Sequence, residues 1–217
     1  MRFIRLSLQG PLQSWGERSR WDSRDTASMP TKSGVIGLIG CCMGIPRGDE
    51  RLQSLNQALH VAVRADKPGR IMTDFHTVQA PKGQRMLNAQ GKPRGETIIT
   101  PKQYLQDAVF TVFIWGADDE MERVYDALLH PFWTPYLGRR SCVPSVPLMP
   151  TLLEAPDVDT AVAMEAPQDA AVETEYLPGD VLREDERLVQ RPDSVINASV
   201  NEYQIRTVRA RTLRREG

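Results

Sequence analysis

Histidine and cysteine are scarce in this chain, aromatic residues make up only 6% of it, and long apolar runs are missing. The three cysteines are Cys41 and Cys42, adjacent in an apolar stretch, and Cys142, which give neither a C-x-x-C pair nor a disulfide framework. A reduced, cytoplasmic protein is the expectation. The three histidines, His60, His76 and His130, have no His or Cys partner at ligand spacing. The consecutive Asp118, Asp119 and Glu120 point in different directions, so neither metal nor cofactor is expected. The longest apolar run, Val35 to Ile45, is too short to span a bilayer, and Met1 leads into alternating residues without a signal-peptide layout. No membrane role is expected.

A surplus of one charge is also missing. The net charge of −1 taken alone argues against a nucleic-acid binder. The total conceals a polar distribution: Lys and Arg outnumber Asp and Glu 8 to 3 over residues 64–103, and are outnumbered 11 to 1 over 154–186. Residues 187–217 return to 7 against 3, mostly in Arg206, Arg209, Arg211, Arg214 and Arg215. Such a distribution fits a subunit that meets an anion on one side and protein on others.

The 217 residues suit one large domain, or one domain with a smaller appendage. Arg2 to Gln9 alternates as a strand with one buried face, and Gly10-Pro11 ends it. In the loop that follows, Trp15 and Trp21 are either core anchors or stacking platforms for bases. Ser33 reads as the N-cap of an apolar helix that runs to Gly44. Its repeated glycines cost about 1 kcal/mol each relative to alanine, which implies close packing against a sheet or a neighbouring backbone. Lys32-Ser33 lacks the preceding glycines of a P-loop, which excludes nucleotide hydrolysis on that motif.

A second helix is expected over Asp49 to Leu59, strands over His60 to Ala65 and Asp107 to Trp115, and a further strand over Val146 to Leu153. Asp119 and Glu122 have the spacing of a capping box for a helix carrying Met121, Val124, Tyr125, Leu128 and Leu129 on one face, stopped by Pro131. Between these elements, Ile71 to Val78 can be extended, and Gln79 to Gly95 carries Lys82, Arg85, Lys92 and Arg94 among glycines and prolines. That segment is either a basic arm along a phosphate backbone or a disordered loop.

Strand, helix, strand, strand, helix, strand is the order of the split βαβ or ferredoxin-like unit, an α+β fold used by many RNA-binding domains. The stacking-aromatic signature of a typical RNA-recognition domain is absent from both central strands, so loops would hold RNA. The acidic region beyond Glu154 and the partly alternating Tyr203 to Leu213 suggest a small β-rich C-terminal subdomain, giving expected parts 1–153 and 154–217.

Residues 135–142, Pro-Tyr-Leu-Gly-Arg-Arg-Ser-Cys, read as an anion clamp. Gly138 lets backbone N–H groups approach a ligand, Arg139 and Arg140 supply two planar five-donor forks, Ser141 adds a hydroxyl and Tyr136 a ring for base stacking.

Taken together, Leu8 to Gly16, Pro30 to Gly34 with its glycine-spaced helix, Asp74-Phe75-His76-Thr77-Val78, Glu96-Thr97-Ile98, Tyr104-Leu105, Phe110-Thr111-Val112 and Pro135 to Cys142 resemble the fifth family of CRISPR-associated proteins, in the form that serves the type I-E Cascade surveillance complex. The resemblance covers about residues 1–150. It implies a non-catalytic RNA-binding subunit with a ferredoxin-like palm and a protruding thumb, here Arg70 to Thr100. Such a subunit holds the 5′ handle of the CRISPR RNA, caps the filament of backbone subunits and seats the large subunit. Target DNA is met only through the assembled complex. Arg139, Arg140 and Ser141 would then bind handle phosphates, Lys32 and Ser33 would approach the same RNA, and the acidic C-terminal half would offer protein contacts.

The rival is an enzyme, because a related branch of that family cuts the repeat RNA itself. Metal-free cleavage needs a base, an acid and a cation, types that His76, Tyr136 and Lys32 or Lys102 supply.

Overall fold

The computed structural model describes residues 1–17, 24–87, 90–95, 97–197, 199–200 and 202–213. Trp21, Glu96, Arg214 and Arg215 lie outside the described residues.

The alternation of the first strand, β1 (Arg2–Gln9), sends Ile4, Leu6 and Leu8 to one face, while Phe3 is buried on the other. A two-residue strand, β2 (Leu12–Gln13), follows, then helices α1 (Lys32–Cys42) and α2 (Arg51–Ala58) and strand β3 (Leu59–Lys67). A long pair, β4 (Arg70–Gln79) and β7 (Thr97–Gln106), encloses the small β5 (Met86–Leu87) and β6 (Pro93–Arg94). The chain continues through β8 (Val109–Gly116), α3 (Asp118–Leu129), β9 (Thr151–Glu154), α4 (Val158–Ala163), β10 (Ala171–Glu175), β11 (Arg187–Asn197) and β12 (Glu202–Thr212).

Seven strands form one antiparallel sheet in the order β11-β12-β10-β3-β8-β1-β9. The interior strand β8 is buried on both faces, as its continuous apolar run demands. Phe110, Val112 and Ile114 meet the main core under α1, α2 and α3, whereas Phe113 and Trp115 join Phe3, Ala62 and Val172 beneath α4. This mixed α/β architecture with a curled antiparallel sheet is the coarse fold that the sequence pattern anticipates.

Several local expectations change. Thr31, not Ser33, caps α1: its hydroxyl accepts from the Gly34 N–H. Two glycines of α1 admit side chains, not a sheet, since a Cβ on Gly34 would stand 2.7 Å from the Trp15 ring and one on Gly40 2.5 Å from Leu52, while Gly37 faces open space. Trp15 itself is a core anchor, buried with its indole N–H donating to Gln13 Oε1 at 3.1 Å. At α3 no capping box forms. Ala117 is the cap residue, and Asp118, Asp119 and Glu120 occupy the first turn, where they favour the positive end of the helix dipole. The strand expected over Val146 to Leu153 shortens to β9.

Residues 154–217 do not build a sheet of their own. β10 hydrogen-bonds to β3 across Ala171↔Ala65 to Thr174↔Ala62 and so lengthens the main sheet. Part of the acidic block is also paired within the protein. Asp159 receives Arg183, Arg209 and Arg211, Glu186 receives Arg209 and Arg211, and Arg191 bridges Glu173 to Glu17.

Outside the sheet, β4 and β7 pair without a break from Arg70↔Gln106 to Gln79↔Thr97. Ten residues of strand rise about 33 Å. The root of this hairpin is fastened by β2, which pairs with Leu105 and Gln106, and by a bridge between Arg24 and Lys102. Tyr104 and Leu105 are buried there, and almost every residue of β4 beyond it is exposed.

Candidate nucleic-acid interface

Helix α3 ends at Leu129, and the next residues run back across the C-terminus of α1. The Phe132 and Trp133 N–H groups donate to the carbonyls at the end of α1, Cys42 O at 2.8 Å and Cys41 O at 3.3 Å, the latter shared with the Gly44 N–H at 3.2 Å. The 135–142 turn begins from that anchor. It closes through Leu137 N–H to Cys142 O and Cys142 N–H to Arg139 O, both 2.8 Å, with Leu137 and Cys142 buried. Its outer edge rests on the first loop, where Ser14 N–H donates to Leu137 O at 3.0 Å. Gly138 has φ +90°, and a Cβ there would fall 1.7 Å from Ser14 O. Only glycine fits, because the contact is with backbone that has no room to yield.

The two arginines of the turn part company. Arg139 is half-buried, and its fork donates to three main-chain carbonyls: Nη1 to Gln103 O at 2.9 Å, and Nη2 to Arg24 O and Asp25 O at 3.2 Å each. The guanidinium lies over the Tyr104 ring, 4.7 Å from its centroid. It therefore works as a brace between the turn, the first loop and the hairpin root, and the expectation that its fork faces phosphate is corrected. Arg140 is exposed, and so is Ser141; Tyr136 is half-buried. The Arg140 charge reaches the Cys41 thiol, whose pKa is raised by burial and partly restored by that cation.

Lys32 is also corrected. Its ammonium is buried and donates to both oxygens of Glu175 at 3.0 and 3.1 Å, and its backbone N–H donates to Asp193 Oδ2 at 2.7 Å. Asp193 in turn takes two bonds from Arg206, at 2.9 and 2.8 Å. Burial pushes the Glu175 carboxyl up, but the His60 ring 3.5 Å away together with Lys32 and Arg206 outweighs it and holds the group at about 2. Burial likewise lowers Lys32 below its ordinary value, with Glu175 opposing. An ammonium so enclosed cannot approach RNA, because an internal carboxylate already satisfies it. Ser33 is half-buried, with its hydroxyl 3.3 Å from that of Thr31.

On the hairpin, the strand period puts Asp74 and His76 on one face with Lys102, which stands opposite Asp74 in register. His76 Nδ1 lies 3.8 Å from Asp74. Among the described residues no hydrogen bond, ion pair or ring contact joins Tyr136 to either His76 or Lys102. Lys82 and Arg85 are exposed beyond β4, and Arg94 lies in β6. The arm read from sequence is thus an ordered hairpin carrying basic residues toward its tip.

Sequence reasoning passed over Phe132 and Trp133, whose rings meet edge to face with centroids 5.3 Å apart. Both are exposed, Phe132 at 72% and Trp133 at 42%. A signal was present: Pro131-Phe-Trp-Thr-Pro135 places two large aromatics between prolines, outside any apolar period that could bury them.

Sheet, hairpin and turn define the class first. The chain shares its mixed α/β architecture with a chain of a CRISPR RNA-guided surveillance complex at TM-score 0.75 and 31% identity, over 98% of this chain and 90% of that one. A structure described as a crystal structure of Cas protein aligns at TM-score 0.68 and 30% identity, over 98% of this chain and 95% of that one. Residues 3–215 match the CRISPR-associated protein family designated Cas_Cas5, and the chain belongs to that family. It is 37% identical over 199 residues to the CRISPR system Cascade subunit CasD of Escherichia coli strain K12, covering 84% of this chain and 81% of the relative. Among the described residues no helix is long and apolar enough to cross a membrane.

Proposed function

We propose that this protein is the subunit of a type I-E Cascade surveillance complex that holds the 5′ handle of the CRISPR RNA, caps the backbone filament and seats the large subunit, without cutting RNA. The kinship with CasD supports the assignment to the complex. The observation that carries RNA holding is the placement of Arg140 and Ser141: they are exposed on a turn that Gly138 and Arg139 fix to the root of a basic hairpin. An exposed cation and hydroxyl at the hairpin root, with Lys82 and Arg85 exposed farther out beyond β4 and Arg94 in β6, suit a single strand's phosphates. The hairpin within about 70–100 is the thumb. Residues 1–153 are the palm, and the run β9-β1-β8-β3 with α1 and α3 supports a ferredoxin-like topology for it. Residues 154–217 extend its sheet. A cytoplasmic location accompanies this role.

Cleavage of repeat RNA is the second reading, favoured by the shared face of Asp74, His76 and Lys102. One experiment separates the two. Purified protein is incubated with labelled repeat RNA in chelator across a salt series, then resolved on native and denaturing gels. Intact RNA, bound with an affinity that falls steeply with salt, is expected. Salt-insensitive or absent binding would sink the handle-holding role, and a discrete cut lost in His76→Ala would make the chain the processing nuclease.

A further inference from the structure

The Phe132–Trp133 pair is held more firmly than its exposure requires. Both backbone N–H groups are tied to the end of α1, and the Cys41 thiol lies 3.8 Å from Trp133 O and 3.6 Å from Thr134 O. The Phe132 ring rests on Gly44, where a Cβ would come within 2.8 Å of it. Two aromatic rings are thereby fixed at the surface with much of their area in water, a costly arrangement that a flat apolar partner would relieve. Arg140, seven residues after Trp133 and exposed in the turn that this segment leads into, is felt at the Cys41 thiol that sits against Trp133 O and Thr134 O. Rigid rings beside an unburied guanidinium are the two parts that recognise a nucleotide, one for the base and one for its phosphate.

We propose that Phe132 and Trp133 form a base-stacking platform, with Trp133 taking one unpaired base of the bound RNA while Arg140 meets the adjoining phosphate. This rests on the reading of the chain as an RNA-holding subunit. It adds a subsite outside the 135–142 turn, and it explains why the segment before that turn is pinned to a helix end.

The test uses the full chain and two probes of equal length, a single-stranded CRISPR repeat RNA and an abasic ribose-phosphate oligomer. Trp133→Ala is expected to weaken RNA binding by roughly 5- to 150-fold with an unchanged salt slope, since stacking carries no counterion release. Trp133→Phe should keep most of the affinity, and Arg140→Ala should lower the slope by about one. Of the four tryptophans, the emission lost on Trp133→Phe reports the Trp133 ring itself. That emission should be quenched by the RNA and not by the abasic oligomer. Equal quenching by both, or wild-type affinity in Trp133→Ala, overturns the platform. Unchanged RNA affinity with failed subunit assembly would make the pair a protein contact, which also overturns it. If the wild-type chain binds neither probe, the handle-holding role itself falls.

Discussion

Arg139 and Arg140 are neighbours in the chain, and their side chains leave it in different environments. Arg139 gives its donors to the carbonyls of Gln103, Arg24 and Asp25 and covers Tyr104, while Arg140 stays in solvent. Arg139→Ala should therefore cost about 2 kcal/mol of stability, read as a lower melting temperature with RNA absent. Arg140→Ala should melt like the parent and bind RNA less tightly. Gly138→Ala is expected to lose at least about 2 kcal/mol, because alanine would adopt φ +90° and press its Cβ onto Ser14 O. A Gly138→Ala protein that unfolds at the parental urea midpoint would refute the close approach. That this stretch forms a turn needing Gly138 was legible in the sequence. The division of labour between its arginines was not, because the carbonyls that engage Arg139 lie 36, 114 and 115 residues away in sequence.

The elements were read where the signal is local. Met121, Val124 and Leu128 of α3 are buried as the helical period requires, and β8 carries the continuous apolar run of a doubly covered strand. The N-terminus of α1 is the counterexample: Lys32 reads as a loop cation from its neighbours, and its partner Glu175 stands 143 residues on in β10. Glu175→Gln alone should cost roughly 3–5 kcal/mol by leaving a buried ammonium unpaired, and Lys32→Met added to it should restore most of that loss. The acid response follows from the same pair. Glu175 titrates at about 2 in the fold against an ordinary 4.5, so the stability of its ionised form is complete above about pH 4.5 and is shed as pH falls toward about 2. Denaturant midpoints measured between pH 5 and pH 3 should drop more in the parent than in the double variant. For the hairpin, replacing residues 81–94 by a short turn should leave the melting temperature nearly unchanged, since that segment is largely exposed, and should impair assembly with the backbone subunit. Normal assembly of the shortened protein would remove the thumb assignment.

At the scale of the whole molecule, one sheet runs from β11 to β9, and of its C-terminal strands β10 and β12 lie within it while β11 forms an edge. A fragment ending at residue 153 would expose the β3 edge and the Phe113 and Trp115 face that β10 and α4 cover. It should aggregate or fail to melt cooperatively. A soluble fragment with a sharp transition would restore the idea of two independent parts. Composition suggested that idea because the charge changes sign near residue 154, yet Asp159, Glu173, Glu175 and Glu186 draw their arginine and lysine partners inward across the same sheet.

The brace made by Arg139 also governs when the protein becomes able to act. Its three acceptors and its aromatic partner come from the first loop and from β7, so the turn cannot be fixed until both have met the chain beyond α3. Contacts of such separation close slowly and late in folding, after local hairpins and helices have formed. A chain still emerging from the ribosome with α3 unfinished has its hairpin strands and no fixed turn. On the proposed reading, the surface that would meet RNA is thus a product of completed folding.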